Sequence, residues 1–208
     1  MRNTINLAWK LLVIALIAGL VLGFANEVTK GPIAEQAKKS ADEARAAAFP
    51  GSATFEPIET KTTEKFYDVF RVLDKDGNVL GVVASSKARG YGGDIEVVVG
   101  MDMEYTVVGI VIGANGDFSE TAGLGAKVKE KSFGEKFLGI KYDGTSVQYN
   151  AGGGGYIMKA GSIKVEKVEA GGNGPDAVSG ATYSSNAVIE AFNNAVNGIY
   201  ELLKANNI

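Results

Sequence analysis

Residues 65–85 read KFYDVFRVL-DKDGN-VLGVVAS, and this stretch decides the fold class. Its two flanks, 65–73 and 79–85, are rich in β-branched and aromatic residues. Between them Asp74-Lys75-Asp76-Gly77-Asn78 is a strong turn signal, so the stretch predicts two antiparallel strands. Downstream, 95–99 and 105–112 are two more β-branched runs joined by a turn over 100–104. Residues 107–112 are nearly all apolar, as expected of a strand covered on both faces. Residues 146–149 and 156–168 are candidates for further short strands. At the C-terminal end Val188, Phe192, Ala195, Val196, Ile199 and Leu203 recur at three- and four-residue spacing. That period predicts a helix over about 184–205 with one apolar stripe for the sheet. The expected fold is α+β: a twisted, mostly antiparallel sheet packed by a C-terminal helix.

Upstream of the sheet the pattern changes. The run 11–26 carries no charge and is bounded by Lys10 and Glu27. At about 1.5 Å per residue it spans roughly 24 Å, short of the roughly 30 Å hydrocarbon core of a bilayer. If Lys10 snorkels, the span begins near Ile5, becomes long enough, and sets Trp9 at interface level. Arg2 and Lys10 precede the span, which directs the N-terminus to the cytoplasm and the rest outside. A cleaved signal peptide is the competing reading, with Gly23-Phe24-Ala25 as a small-x-small site. Pro32 suits a first helical turn, and 33–49 is rich in Ala, Lys and Glu. The turn Phe49-Pro50-Gly51-Ser52 ends it. The chain thus divides into a membrane anchor with a short cytoplasmic start (1–27), a connector helix (28–50) and an extracytoplasmic domain (51–208).

Composition narrows the chemistry. The 208 residues carry a net charge of −3 and scattered basic residues, which does not favour nucleic acid. There is no cysteine and no histidine. Disulfides, cysteine-ligated iron–sulfur clusters and haem attachment through C-x-x-C-H are excluded, and the usual zinc and haem ligands are missing. Redox chemistry in such a chain needs an organic cofactor, and one not tethered through Cys or His. No residue is assigned a catalytic or metal-ligating role.

Three segments are suited to holding a ligand. The first is Asp176-Ala177-Val178-Ser179-Gly180-Ala181-Thr182-Tyr183-Ser184-Ser185, a turn of small residues that runs into the C-terminal helix. Ser184 or Ser185 is expected as N-cap. The amides of 180–184 then favour an anion, and Thr182 offers a hydroxyl at the mouth of the turn. A capped turn with no ligand fits the same residues. The second is Arg89-Gly90-Tyr91-Gly92-Gly93-Asp94, where glycines flank an aromatic ring; a surface turn between strands is the plain alternative. The third is Glu120-Thr121-Ala122-Gly123-Leu124-Gly125-Ala126-Lys127, which could present an apolar side chain and bare amides to a flat ring. It lacks the G-x-G-x-x-G spacing and the strand–helix context of a dinucleotide site, and a flexible loop is its alternative. The run Gly152 to Gly155 receives no function.

Together these segments resemble the FMN-binding domain shared by the G subunit of the Rnf electron-transport complex and the C subunit of the sodium-translocating NADH:quinone reductase. The family's Asp-x-x-Ser/Thr-Gly-Ala-Thr signature stands here as Asp176, Ser179, Gly180, Ala181 and Thr182. The Gly-Tyr-Gly-Gly segment matches 90–93. Glu-Thr-x-Gly-Leu-Gly matches 120–125, with Ala122 where the family often has Pro. Tyr183 departs from the Ser or Thr that often follows the signature threonine.

The resemblance implies FMN held as a phosphoester on Thr182, attached by a separate flavin transferase that uses FAD and magnesium. It also places Tyr91, Gly92, Glu120, Thr121, Leu124 and Gly125 around the flavin ring, with Ser184 beside the phosphate. Lys164 or Lys167 would touch ring or phosphate. The short chain favours the Rnf G subunit: an electron carrier on the outer face of the cytoplasmic membrane, partnered by the other membrane subunits of a ferredoxin:NAD⁺ oxidoreductase and inactive by itself. The quinone-reductase C subunit, or a stand-alone extracellular flavin carrier, is the alternative within flavoproteins. A membrane-anchored scaffold without cofactor is the alternative of another class.

Overall fold

A computed structural model of the chain describes residues 2–60, 62–63, 65–114, 118–144, 147–149, 156–158, 178 and 180–205. The chain divides into two compact units, Met1–Lys39 and Ser40–Ile208. A helix, α1 (Arg2–Ala48), provides the first unit and enters the second. It is the helix long and apolar enough to cross a membrane among the described residues, and none of its most apolar stretch is buried. Leu11, Ile14, Leu20, Leu22 and Phe24 are all exposed. Exposed apolar side chains on every face require a lipid or protein surround. Pro32 lies inside α1 rather than in a first turn. Proline removes one main-chain donor, yet the helix continues into the stretch after it, which is rich in Ala, Lys and Glu. Thr29 Oγ1 donates to the carbonyl oxygen of Ala25 at 2.9 Å one turn before it.

The second unit is built on a five-stranded antiparallel meander: β1 (Thr54–Pro57), β2 (Phe66–Leu73), β3 (Val79–Arg89), β4 (Asp94–Asp102) and β5 (Val107–Ile112), in that spatial order. The β2–β3 hairpin forms where the turn signal predicts it. Asp74 Oδ1 accepts the amides of Asp76 and Asn78 at 2.8 Å each. These bonds hold the Asp74 carboxyl below its ordinary range, the side chain of Asn78 contributing most. The strands β3 and β4 run further than their apolar cores suggest, so the segment 90–93 becomes the hairpin turn between them, closed by Gly90 N–H to Gly93 O at 2.8 Å. The edge strand β1 has no counterpart in the sequence pattern: four residues ending in proline give no alternation to read.

Two clusters cover the two faces of the sheet. On one, α3 (Thr182–Lys204) buries Val188, Phe192, Val196 and Ile199 against Val82, Val97 and Val99. On the other, the end of α1 sets Ala44, Ala48 and Phe49 against Val72, Val83 and Val98. That helix end approaches so closely that a Cβ at Gly100 or Gly109 would run into the carbonyl oxygen of Ala48. β5 contributes Val107 and Ile112 to the first cluster and Val108 and Val111 to the second. Both its faces are used, as predicted, but as an edge strand it is only partly buried. A short helix α2 (Lys131–Gly134) and a two-stranded antiparallel ribbon of β6 (Val147–Tyr149) and β7 (Tyr156–Met158) complete the unit. Gly152 to Gly155 lie outside the described residues.

Candidate flavin site

The three segments singled out in the sequence meet at one place. Tyr91, Glu120, Thr121, Leu124, Gly125, Gly180, Ala181, Tyr183 and Ser184 line a cleft of about 300 Å³. Each reaches it by a different route. Tyr91 projects from the β3–β4 turn and is 73% exposed. Gly92 in that turn must be glycine, because a Cβ there would meet the carbonyl oxygen of Ser119 on the neighbouring loop. The loop 120–125 is a tight turn, with the amides of Leu124 and Ala126 donating to Thr121 O at 3.2 and 3.0 Å. It leads into a 3₁₀ turn, Gly125–Lys129, whose Val128 is fully buried and anchors the loop in the core.

The third wall is the start of α3. Gly180 takes φ +76°, a left-handed conformation that favours glycine, and Ala181 donates to Val178 O at 2.9 Å. The N-cap is Ala181, which brings no capping side chain. The first intrahelical bond runs from Ser185 N–H to Ala181 O at 3.0 Å. Helical geometry therefore gives the amides of Thr182, Tyr183 and Ser184 no intrahelical acceptor.

This corrects the expectation that Ser184 or Ser185 caps the helix. The helix begins two residues earlier, at Thr182, and both serines turn inward, Ser184 to 2% exposure and Ser185 to none. Ser185 Oγ accepts the amide of Val178 at 3.0 Å, tying the preceding turn to the helix. Ser184 Oγ donates to Glu120 Oε2 at 2.5 Å, and Gly92 N–H donates to Glu120 Oε1 at 2.9 Å. Glu120 is itself buried. Its carboxylate thus joins all three segments. Thr182 is the first residue of α3. Asp176, Ser179, Lys164 and Lys167 lie outside the described residues.

Tyr183 lines the cleft and is 74% exposed, and Leu124 is 47% exposed. Sequence reasoning does not assign Tyr183 to the site, although its departure from the family pattern at that position marks it. Of the five exposed large apolar side chains described in the second unit, Tyr91, Leu124 and Tyr183 border this cleft, and Met103 and Leu138 do not. Apolar and aromatic side chains left exposed around one cleft are a binding feature rather than a folding one. Free amides at one end, close backbone approach and open aromatic faces suit a flat ligand bearing an anionic group.

The fold and this cleft define an α+β domain that follows a long apolar N-terminal helix and carries a cleft suited to a flat ligand with an anionic group. The profile of the FMN-binding domain family matches residues 90–197, and the chain belongs to that family. Among its relatives is the G subunit of the ion-translocating oxidoreductase complex of Methanosarcina acetivorans, 27% identical over 191 residues that cover 89% of each chain. Another is the G subunit of the Na⁺-translocating ferredoxin:NAD⁺ oxidoreductase complex of Acetobacterium woodii, 25% identical over 98% of this chain and 99% of the relative. Among solved structures, the C subunit of the Na⁺-translocating NADH-quinone reductase of Parabacteroides distasonis is 25% identical, with a TM-score of 0.45 over 65% of this chain and 61% of its own. The corresponding protein of Shewanella oneidensis is 22% identical, with a TM-score of 0.44 over 74% of this chain and 72% of its own.

Proposed function

We propose that this chain is the electron carrier of a membrane-bound, ion-translocating ferredoxin:NAD⁺ oxidoreductase, with FMN joined to Thr182 through a phosphoester. The observation that carries the reading is the convergence of segments 90–93, 120–125 and 180–184 on one cleft at the start of α3, of which Thr182 is the first residue. The flavin supplies the electron chemistry; the chain holds and orients it. The amides of residues 182–184 receive the phosphate. Tyr91, Gly92, Thr121, Leu124 and Gly125 flank the ring, with Glu120 behind them and Asp176, Ser179 and Lys164 completing the site.

The absence of Cys and His leaves a threonine ester as an available tether. A flavin transferase makes it, so Thr182 needs no neighbouring base in this chain. Arg2 and Lys10 ahead of the apolar run place the N-terminus in the cytoplasm and the flavin unit on the outer face. Partners are the other membrane subunits of the complex, in keeping with the names of the Methanosarcina and Acetobacterium relatives.

The test is ultraviolet-excited fluorescence of the band after denaturing electrophoresis, on full-length protein made together with a flavin transferase. A fluorescent wild-type band and a dark Thr182→Ala band are expected. A dark wild-type band would leave the scaffold reading in possession, and a fluorescent Thr182→Ala band would move the attachment site.

A further inference from the structure

Glu120 is the one charged side chain among the described residues that line the cleft. Described Lys and Arg side chains are absent from that lining. Both carboxylate oxygens are engaged, one by Gly92 N–H at 2.9 Å and the other by Ser184 Oγ at 2.5 Å. The surroundings are shaped to it. A Cβ at Gly90 would strike Oε1, and one at Gly125 would lie 2.5 Å from Oε2 and 2.5 Å from Ser184 Oγ. A group with both oxygens committed and only 9% exposed does not reach into the cleft to grip a ring. It pins the β3–β4 turn to the first turn of α3.

That position has an electrostatic consequence. Ser184 is the third residue of α3, so the carboxylate that its hydroxyl reaches stands beside the first turn, the positive end of the helix. The phosphate of FMN is directed to the same helix end. Two anions sharing one such site oppose each other, and a buried charge is poorly screened. We propose that Glu120 is a positioning residue whose charge weakens non-covalent binding of the flavin phosphate, so that retention of the flavin depends on the covalent tether. The inference rests on the flavin reading above, which the fluorescence of the wild-type band tests separately.

Glutamine separates geometry from charge. In Glu120→Gln the amide oxygen still accepts Gly92 N–H, and the amide nitrogen donates to Ser184 Oγ after the hydroxyl rotates. Ser184→Ala does the reverse, removing a hydrogen bond and leaving the charge. The experiment uses full-length Thr182→Ala protein in detergent, which offers no hydroxyl for the ester, titrated with FMN and with riboflavin, which lacks the phosphate. In this parent FMN is expected to bind no more tightly than riboflavin. Adding Glu120→Gln tightens FMN on the order of tenfold and leaves riboflavin nearly unchanged, whereas adding Ser184→Ala does not tighten FMN. If the parent binds neither flavin measurably, Glu120→Gln must bring FMN into range.

A purely structural brace would leave FMN binding unchanged in Glu120→Gln and weaken it in Ser184→Ala; no tightening in Glu120→Gln, whether its binding is unchanged or weaker, overturns the proposal. So does a parent that clearly prefers FMN to riboflavin. The parent comparison decides alone if Glu120→Gln no longer melts cooperatively.

Discussion

At the scale of single residues, the polar side chains held out of water explain more than the charged surface. Tyr67 in β2 donates to Glu96 Oε1 in β4 at 2.8 Å, and Glu96 is 9% exposed. The bond crosses over β3 and coincides with a bulge, where the β2–β3 register shifts between Tyr67 and Phe70 and Asp68 takes φ +48°. Burial, followed by the charge and hydrogen bond of Glu96, pushes the Tyr67 hydroxyl well above the ordinary tyrosine value of about 10. A raised folded-state value means stability that is fully present below about pH 10 and is lost above it, as the unfolded chain ionises its tyrosine first. Tyr67→Phe is therefore expected to lower stability by about 1.5–3 kcal/mol at neutral pH, the range of a lost hydrogen bond to a charged acceptor. It should also flatten the fall in stability between about pH 10 and 11.5. Urea melts at several pH values measure both. An unchanged alkaline slope would remove Tyr67 from the account. In contrast, Arg89–Asp94 at 3.3 Å is an exposed pair that closes the β3–β4 turn, and its removal should hardly register.

At the scale of elements, legibility followed locality. The β2–β3 hairpin was readable because its turn residues and its strands are adjacent in sequence, and α3 because one apolar stripe repeats along it. The segments 90–93 and 120–125 stand out by the glycines around Tyr91 and Leu124, but plain turns fit the same residues, and it is the resemblance to the FMN-binding domain family that joins them to 176–185. What was not legible depends on distant partners. Ser184 looks like a helix cap in its own neighbourhood, and only Glu120, sixty-four residues away, turns it inward. Gly100 and Gly109 look like weak points in β4 and β5, where glycine costs strand stability. They are glycines because the carbonyl of Ala48 passes over them. Gly100→Ala is accordingly expected to cost about 1–3 kcal/mol, the range for overpacking a close contact. An alanine in an open strand position would be neutral or better. A thermal melt of the purified variant decides, and an unchanged midpoint would mean that the end of α1 shifts away freely.

At the scale of the molecule, the same contact fixes where the globular unit begins. The turn at Phe49-Pro50-Gly51 is the obvious sequence boundary, yet the compact second unit starts at Ser40. Ala48 is fully buried, Ala44 and Phe49 nearly so, and Arg45 lies 4.1 Å over the ring of Phe70 in β2. Removing residues 1–49 would strip one face of the sheet and expose Val72, Val83 and Val98 together. Burying Phe49 alone contributes about 1.5–3 kcal/mol, and an uncovered apolar sheet face promotes association. Removing residues 1–39 leaves that cover in place and takes away the helix turns whose apolar side chains are exposed on all sides. Two truncations thus have opposite expected outcomes. The 40–208 chain should be soluble without detergent, monomeric, and melt at the temperature of the full-length protein. The 50–208 chain should aggregate or melt lower by several degrees. Size-exclusion chromatography and thermal melts of both separate the possibilities. If 50–208 behaves as well as 40–208, the end of α1 is a passive connector, and Gly100 and Gly109 need another explanation.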